Sequence, residues 1–265
     1  MTVALIAGEG LLPELIASRL ADGGNKPLVY AMRKDTGALA SRALDIIPLS
    51  GARIGDALLD MARRKVKKAI LAGFVPKNII YSPEAMDETA KRFLAALSER
   101  DDHSLLGAIV SLLEKSGIEV MGYRDLLSDL LARNGLIAGR PPSPAETADV
   151  SYGVRIAESV LPLSFGQSII VNGKAVVAVE AMEGTDAAVL RAGTLSRGGV
   201  VVKMIKQGQD ERYDLPVVGP KTLKSMNSAK LTCLAVHTGW TLVLCPDEFR
   251  EAASDFGISV IGVDY

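Results

Sequence analysis

Acidic residues in the second half of the chain have the types and spacing that metal-assisted phosphate chemistry requires. Glu180, Glu183, Thr185 and Asp186 lie within seven residues, and Asp214 stands further on, directly before a Leu-Pro turn. Carboxylate oxygens suit Mg²⁺, which keeps several waters and bridges protein carboxylates to substrate phosphates. Structural alternatives stay open, because Thr185 or Asp186 can cap a helix and an Asp often stabilises a turn.

A glycine-rich segment near the start of the chain has the composition of a phosphate-binding turn. Gly8, Gly10 and Leu11 follow an apolar run, and Pro13 suits the first position of a helix. Glycines there let the backbone approach a phosphate that the helix amides face. A dinucleotide fingerprint is incomplete, because Pro13 replaces the third glycine and Arg33 stands where the ribose-binding acid belongs. The segment favours a phosphate or nucleotide other than NAD, or a turn that only packing requires.

Histidine-based catalysis has little support in the sequence. His103 and His237 are the only histidines, and no Ser or Cys lies in a nucleophile-elbow setting. We therefore expect a hydrolase built on this chain to depend on a metal and carboxylates.

Strands and helices alternate in the first half of the chain, which predicts how the candidate residues are positioned. Apolar strand-like runs and helical stretches follow one another from Val3 to Met121. This alternation predicts a doubly wound, mostly parallel α/β sheet. Because ligands bind beyond the carboxyl ends of parallel strands, the turns that contain Gly8, Gly73 and Gly122 are the expected site.

The second half predicts a separate, mixed α/β domain. Three prolines and a glycine in the segment 139–144 predict a linker. Asn172-Gly173 between two apolar runs predicts a tight hairpin turn, and α/β units follow. We predict a Rossmann-like nucleotide- or phosphate-binding domain over 1–138, a linker over 139–145 and a C-terminal catalytic α/β domain over 146–265.

Composition predicts a globular protein without a strong overall field. The 265 residues include 30 basic and 31 acidic ones, so we expect no nucleic-acid partner. The N-terminus lacks a signal-peptide pattern, and no apolar run reaches the roughly 20 residues of a membrane-spanning helix. Cys233 and Cys245 lack metal or redox spacing, which suits thiols in a reducing compartment. These features favour a cytoplasmic protein; peripheral contact with the inner membrane and a homodimer are left open.

Five short motifs, spread over nearly the whole chain, carry a resemblance to a known family. They are Ala7-Gly8-x-Gly-x-Leu-Pro13, Ala72-Gly73-x-Val75, Phe165-Gly166-Gln167, Glu183-Gly184-Thr185-Asp186-Ala187 and Asp214-Leu215-Pro216. Their order and spacing resemble the UDP-2,3-diacylglucosamine pyrophosphatases of bacterial lipid A synthesis, the type unrelated to the commoner metallophosphoesterase. Glu-Gly-Thr-Asp together with Asp-Leu-Pro at this separation is the specific part of the resemblance.

That resemblance implies a function and a set of site residues. It implies two α/β domains with the lipid-linked UDP-sugar in the cleft between them. The reaction it implies is magnesium-dependent hydrolysis of UDP-2,3-diacylglucosamine to UMP and 2,3-diacylglucosamine 1-phosphate. The essential acid is expected at Asp214, with Glu183 and Asp186 as further candidates for the metal. Together with the glycine turns, the expected substrate-binding residues are Gly8, Gly10, Leu11, Gly73, Phe74, Gly122, Gln167 and Thr185.

Two residues depart from the family pattern, and two other classes of protein stay open. Glu9 stands where a relative has glycine, and Phe74 replaces a polar residue. A carboxylate at Glu9 would repel phosphate unless it points away or a cation lies between them. The main alternative is a noncatalytic protein that binds a UDP-sugar or lipid phosphate, with the carboxylates as caps. A nucleotide-dependent oxidoreductase would rest on the glycine motif alone.

Overall fold

The chain divides into two compact units. The computed structural model describes residues 2–49, 51, 53–75, 86–97 and 102–265. One unit comprises Met1–Leu126 and Asp210–Asp214, and the other comprises Leu127–Gln209 and Leu215–Tyr265. This division differs from the predicted boundaries at 138 and 146. Each unit contains a sheet with helices, so the predicted α/β class is confirmed.

The N-terminal unit contains one five-stranded parallel sheet. Its strands are β1 (Val3–Ala7), β2 (Leu28–Ala31), β3 (Asp45–Pro48), β4 (Lys68–Ala72) and β5 (Glu119–Val120). The described helices are α1 (Leu12–Asp22), α2 (Gly37–Ala40), α3 (Ile54–Arg63), α4 (Glu88–Ala95) and α5 (Asp102–Lys115). The strand order is β3-β2-β1-β4-β5. Strands β1 and β2 are continuous apolar runs, as parallel strands covered on both faces are, whereas edge strand β3 is more exposed.

A short segment of the second half of the chain, 210–214, belongs to the N-terminal unit. Tyr213 is 3% exposed and packs in the same apolar cluster as Leu113 of α5. Arg212 donates to the Glu114 carboxylate across 2.6 Å. Burial of a large aromatic ring contributes on the order of 2 kcal/mol, which fixes this segment to its unit.

The C-terminal unit contains a mixed sheet, as predicted. Its strands are β6 (Gly135–Ala138), β7 (Ser168–Asn172), β8 (Ala175–Val179), β9 (Val200–Lys203), β10 (Val217–Val218), β11 (Cys233–His237), β12 (Leu242–Val243) and β13 (Ser259–Val263). Its helices are α6 (Pro144–Val160), α7 (Thr185–Leu195), α8 (Pro220–Ser228) and α9 (Pro246–Asp255). Six strands form the order β6-β13-β11-β9-β7-β8, and β10 pairs with β12. Val200 and Val202 pack with α6, whereas Val201 packs with α7 to α9.

The predicted linker over 139–145 lies inside the C-terminal unit. Strand β6, which precedes it, already pairs with β13. Ser143 and Glu146 form a capping box at the start of α6, with Pro144 in its first turn. Arg140 makes a bidentate ion pair with Glu146. Pro144 therefore begins a capped helix, because proline suits the first turn of a helix, where no backbone N–H is required.

The predicted hairpin is present, with its turn one residue later than predicted. Strands β7 and β8 are joined by Gly173 at φ 59° and Lys174 at φ 58°. Asp149 of α6 accepts hydrogen bonds from both of their backbone N–H groups, at 2.8 and 2.7 Å. Asn172, predicted in the turn, instead donates to Ser196 from the end of β7. A tertiary contact to α6 thus sets the turn position.

Neither cysteine forms a disulfide. Cys233 is buried and Cys245 is half-buried, and both are free thiols. Burial raises the pKa of Cys233 to about 12, so this thiol is unreactive at neutral pH.

No helix in the described ranges combines the length and the apolar character that crossing a membrane demands.

Candidate active site

The turns after β1 and β4 are tied together through their backbones. Glu9 N–H donates to the Phe74 carbonyl at 2.7 Å, and Phe74 N–H donates to the Glu9 carbonyl at 2.9 Å. Only glycine fits beside this bridge, because a Cβ on Gly8 would lie 2.6 Å from the Phe74 oxygen. A Cβ on Gly73 would lie 2.7 Å from the Glu9 oxygen. The structure thus brings the predicted residues of both turns together.

The surface of this turn pair is more apolar than a phosphate cradle. The amides of Glu9 and Phe74 are engaged in the bridge, so neither faces a ligand. Leu11 is 48% exposed and Phe74 is 57% exposed. Exposed apolar side chains at the carboxyl edge of a sheet suit contact with a planar or apolar part of a ligand.

Arg33 supports the glycine turn from the end of β2. Its Nη1 atom donates to the Gly10 carbonyl at 2.8 Å and lies 2.9 Å from the Glu14 carboxylate. The side chain is only 10% exposed. In the sequence, Arg33 indicated only the absence of a ribose-binding acid. In the structure, it fastens the turn to α1 and places a positive charge beside it.

Asp214 ends a segment that lies against the carboxyl edge of the N-terminal sheet. Gly122 follows β5, and a Cβ there would lie 3.2 Å from the Glu211 carbonyl oxygen, so the segment 210–214 lies against the end of this strand. Asp214 has φ 58°, a left-handed conformation that costs most residues about 1 kcal/mol and that Asp tolerates better than most. Buried Tyr213 fixes the preceding residue. The segment that carries the predicted acid therefore lies beside the predicted Gly122.

A buried polar row crosses the C-terminal sheet. Lys203 of β9 and Ser168 of β7 are register partners, and Glu180 N–H donates to the Ser168 carbonyl. Lys203 is 5% exposed and Glu180 is 9% exposed. Lys203 Nζ lies 3.8 Å from a Glu180 carboxylate oxygen and 3.4 Å from Ser168 Oγ. The charges are buried as a pair, as buried charges must be.

This row holds two of the predicted substrate-binding residues. Thr185, the first residue of α7, donates to Glu180 Oε1 at 3.0 Å and accepts from Lys203 Nζ at 2.8 Å. Gln167 N–H donates to Glu180 Oε2 at 3.4 Å. The structure therefore brings Gln167 and Thr185 together through one carboxylate.

Glu183 and Asp186 are engaged by different cations. Arg191 donates to the Glu183 carboxylate, and this hydrogen bond lowers the pKa of Glu183. Asp186 lies 3.0 Å from the ammonium group of Lys221, which is 88% exposed. Gly184, with φ 80°, separates Glu183 from α7, and the two carboxylates have separate partners.

Magnesium fits this chain only in a mode that uses few carboxylates. Within the ranges that the structure describes, no three His, Cys, Asp or Glu side chains form a group that could hold a metal ion. Mg²⁺ often uses one or two carboxylates, with waters and substrate phosphates completing its shell. Asp186 of the C-terminal unit suits that mode because exposed Lys221 is easily displaced. Asp214 of the N-terminal unit is a candidate through the family resemblance alone. Glu183 fits less well because Arg191 holds it.

Comparison with known families covers nearly the whole chain. The LpxI N-terminal domain matches residues 2–130, and the LpxI C-terminal domain matches residues 133–261. The chain belongs to the LpxI family. The UDP-2,3-diacylglucosamine pyrophosphatase LpxI of Caulobacter vibrioides is 29% identical over 282 aligned positions, which cover 99% of this chain and 97% of the relative. The family resemblance carried by the five motifs is therefore confirmed.

The two LpxI domains do not coincide with the two compact units. Asp214 lies within the LpxI C-terminal domain in sequence, yet the segment 210–214 belongs to the N-terminal unit in the structure. Asp214 of the Asp-Leu-Pro motif therefore belongs to the same unit as the Ala-Gly-x-Gly motif, whereas Leu215 and Pro216 belong to the C-terminal unit. Gln167 and Thr185 belong to the C-terminal unit.

Sequence reasoning missed Lys203 and Ser168 and treated Glu180 only as one member of an acidic cluster. The sequence does contain a signal for Lys203. It lies two residues after Val201, and therefore on the same face of a strand that is otherwise apolar. A charged residue on a core-facing position requires a buried partner. In this LpxI family member, that partner is Glu180.

Proposed function

We propose that this protein hydrolyses the pyrophosphate bond of UDP-2,3-diacylglucosamine in the cytoplasm, as a magnesium-dependent step of lipid A biosynthesis. The products are UMP and 2,3-diacylglucosamine 1-phosphate. One observation carries the proposal: the chain matches both LpxI domains, and its relative bears the name of this activity. The geometry supports it, since the segment that ends at Asp214 belongs to the same unit as the glycine turns and lies beside Gly122.

The chain supplies groups that the hydrolysis of a pyrophosphate needs. Water adds to one phosphorus, the bridging P–O bond breaks, and the water protons finish on the two product phosphates. Asp214 either accepts a proton from the attacking water or holds the ion. Arg33 holds the glycine turn in place through the Gly10 carbonyl, while its charge is paired with Glu14. Magnesium held by Asp186 or Asp214 would supply charge neutralisation at the phosphate oxygens and acidify a bound water.

Exposed apolar side chains in the C-terminal unit support a lipid-bearing substrate. Leu163, Phe165 and Met182 are 66%, 37% and 53% exposed and neighbour Gln167 and Thr185 in the sequence. Apolar side chains with this exposure suit contact with acyl chains, which lose contact with water there. The same surface is compatible with peripheral contact with the inner membrane.

Product analysis tests the proposed reaction. Purified protein is incubated with UDP-2,3-diacylglucosamine, and nucleotide and lipid products are identified by mass spectrometry. We expect equal amounts of UMP and 2,3-diacylglucosamine 1-phosphate. Release of UDP would show cleavage at the sugar instead, and binding without any product would leave a UDP-sugar or lipid-phosphate carrier.

Metal replacement tests the magnesium dependence separately. We expect EDTA to abolish UMP release and Mg²⁺ to restore it at a saturable concentration. Asp186→Asn is expected to raise the Mg²⁺ concentration for half-maximal rate, whereas Lys221→Met leaves the maximal rate intact. Full activity after EDTA treatment and removal of free ions would contradict the metal dependence.

A further inference from the structure

The buried ion pair of Lys203 and Glu180 has an unusual position for a purely structural pair. The Lys203 and Glu180 side chains are 6% and 12% exposed, and they extend the sheet face on which α7 packs. Replacing such a pair by apolar residues is often neutral or stabilising, so stability alone does not explain it. Its other contacts are to the start of α7 and to the residue that precedes β7.

The pair also fixes the polarity of the Thr185 hydroxyl. Thr185 donates its only hydroxyl proton to Glu180 and accepts a proton from Lys203. A hydroxyl has one donor and two acceptor positions. Ser168 Oγ lies 3.4 Å from the same oxygen and fills its second lone pair, so the hydroxyl holds the start of α7 to this row.

The same carboxylate orders the backbone at Gln167. Glu180 accepts from Gln167 N–H, and Gly166 packs so closely that a Cβ there would lie 2.3 Å from the Glu180 carbonyl oxygen. Removal of the carboxylate would therefore loosen Gln167 and Thr185 together. These are the two residues of this unit expected at the substrate.

We propose that Lys203 and Glu180 are positioning residues that hold Gln167 and the start of α7 at Thr185 in place for the UDP-sugar. This inference rests on the proposed function, since it assigns a role to residues expected at the substrate. The pair acts through these neighbours and does not touch the reacting phosphorus.

A second ion pair of the same unit provides a matched control. Arg140 and Glu146 form a bidentate pair at the start of α6, with distances of 2.8 and 2.6 Å. Their other hydrogen bonds join them to Pro141, Ser143, Thr232 and Gly257, and none of these residues is expected at the substrate. Removal of each pair removes two opposite charges at once, so no unpaired buried charge is left.

The experiment compares Lys203→Met/Glu180→Gln with Arg140→Met/Glu146→Gln in the full chain. For each protein, KM and kcat for UDP-2,3-diacylglucosamine, the dissociation constant of UMP and the melting temperature are measured. For the Lys203/Glu180 variant we expect KM to rise about tenfold, the equivalent of one or two lost hydrogen bonds, with a smaller change in kcat. For the Arg140/Glu146 variant we expect a lower melting temperature and an unchanged KM.

Thr185→Val and Thr185→Ser keep the inference testable if the double variant does not fold. Both leave the ion pair in place. Valine removes the hydroxyl that ties α7 to the pair and is expected to raise KM, whereas serine keeps the hydroxyl and its contacts and is expected to restore KM to within about threefold of wild type. An unchanged KM in Thr185→Val would overturn the inference. So would a KM that rises in both ion-pair variants in proportion to their loss of melting temperature.

Failure of the proposed function gives a different result. If the wild-type protein binds UMP but yields no product, the hydrolase is rejected, and the UMP dissociation constants of the same variants still decide the role of the pair. If the wild-type protein neither turns over the substrate nor binds UMP, both proposals are rejected.

Discussion

Glu9 and Phe74 are backbone partners: each donates its N–H to the carbonyl of the other, at 2.7 and 2.9 Å. These are the two residues that depart from the family pattern, and the structure joins them in one bridge between the turns after β1 and β4. The bridge consumes both amides, while the exposed ring of Phe74 stays available at the surface. The two departures therefore form one local feature of the turn pair.

Gly73→Ala is expected to destabilise the protein more than Gly24→Ala. Both glycines have positive φ, +89° and +78°, so alanine costs about 1 kcal/mol at either position. Only Gly73 also has backbone at 2.7 Å from the added Cβ, whereas nothing lies within 4 Å at Gly24. Urea unfolding measures the difference. Equal losses of unfolding free energy would contradict the close packing of the bridge.

Tyr213 is expected to anchor Asp214 through its burial. Tyr213→Ala removes a ring that is 3% exposed and should cost about 3–5 kcal/mol of unfolding free energy. It should also lower kcat about tenfold or more, because Asp214 loses its fixed position. Tyr213→Phe keeps the ring in the core and serves as the control. A stable Tyr213→Ala protein with wild-type kcat would refute the anchoring role.

The sequence predicted the features that depend on short-range patterns. The glycines after β1, the proline that starts α1 and the alternation of strands and helices were enough to predict the parallel sheet and its carboxyl edge. The family motifs predicted Asp214, Gln167 and Thr185 as site residues. Their roles in catalysis and binding stay predictions.

Features that depend on strand register or on distant packing could not be read from the sequence. Lys203, Ser168 and Glu180 form one row only because β7 aligns with both of its neighbours in a particular register. The segment 210–214 joins the N-terminal unit because Tyr213 is buried there, and no local pattern encodes that destination. The hairpin turn lies one residue later than predicted because the Asp149 carboxylate accepts hydrogen bonds from the backbone N–H groups of Gly173 and Lys174.

Asp149 is expected to stabilise that hairpin locally. Asp149→Ala leaves two backbone N–H groups without their acceptor and should cost about 1–3 kcal/mol. Amide hydrogen exchange at Gly173 and Lys174 should accelerate. Ser151→Ala, on an exposed position of the same helix, is the control and should change neither quantity. Unchanged exchange in Asp149→Ala would show that the turn does not depend on this carboxylate.

His237 is expected to make the stability depend on pH. Burial lowers the pKa of His237, and the negative charge of Asp264 offsets only part of this shift. Below about pH 6.5 the unfolded chain therefore takes up a proton that the folded chain resists, so the free energy of unfolding falls as the pH falls. His237→Gln should flatten this dependence between about pH 7 and pH 5 in thermal melts. Identical pH profiles for both proteins would contradict the burial effect.

The central claim is tested most directly by the rate of UMP release from UDP-2,3-diacylglucosamine by the wild-type protein and by Asp214→Asn. Asparagine tolerates the left-handed φ of 58°, so the variant should melt as the wild type does. We predict magnesium-dependent release by the wild type and a loss of at least about a hundredfold in the variant. No UMP from the wild type, or comparable rates from both proteins, would contradict the account.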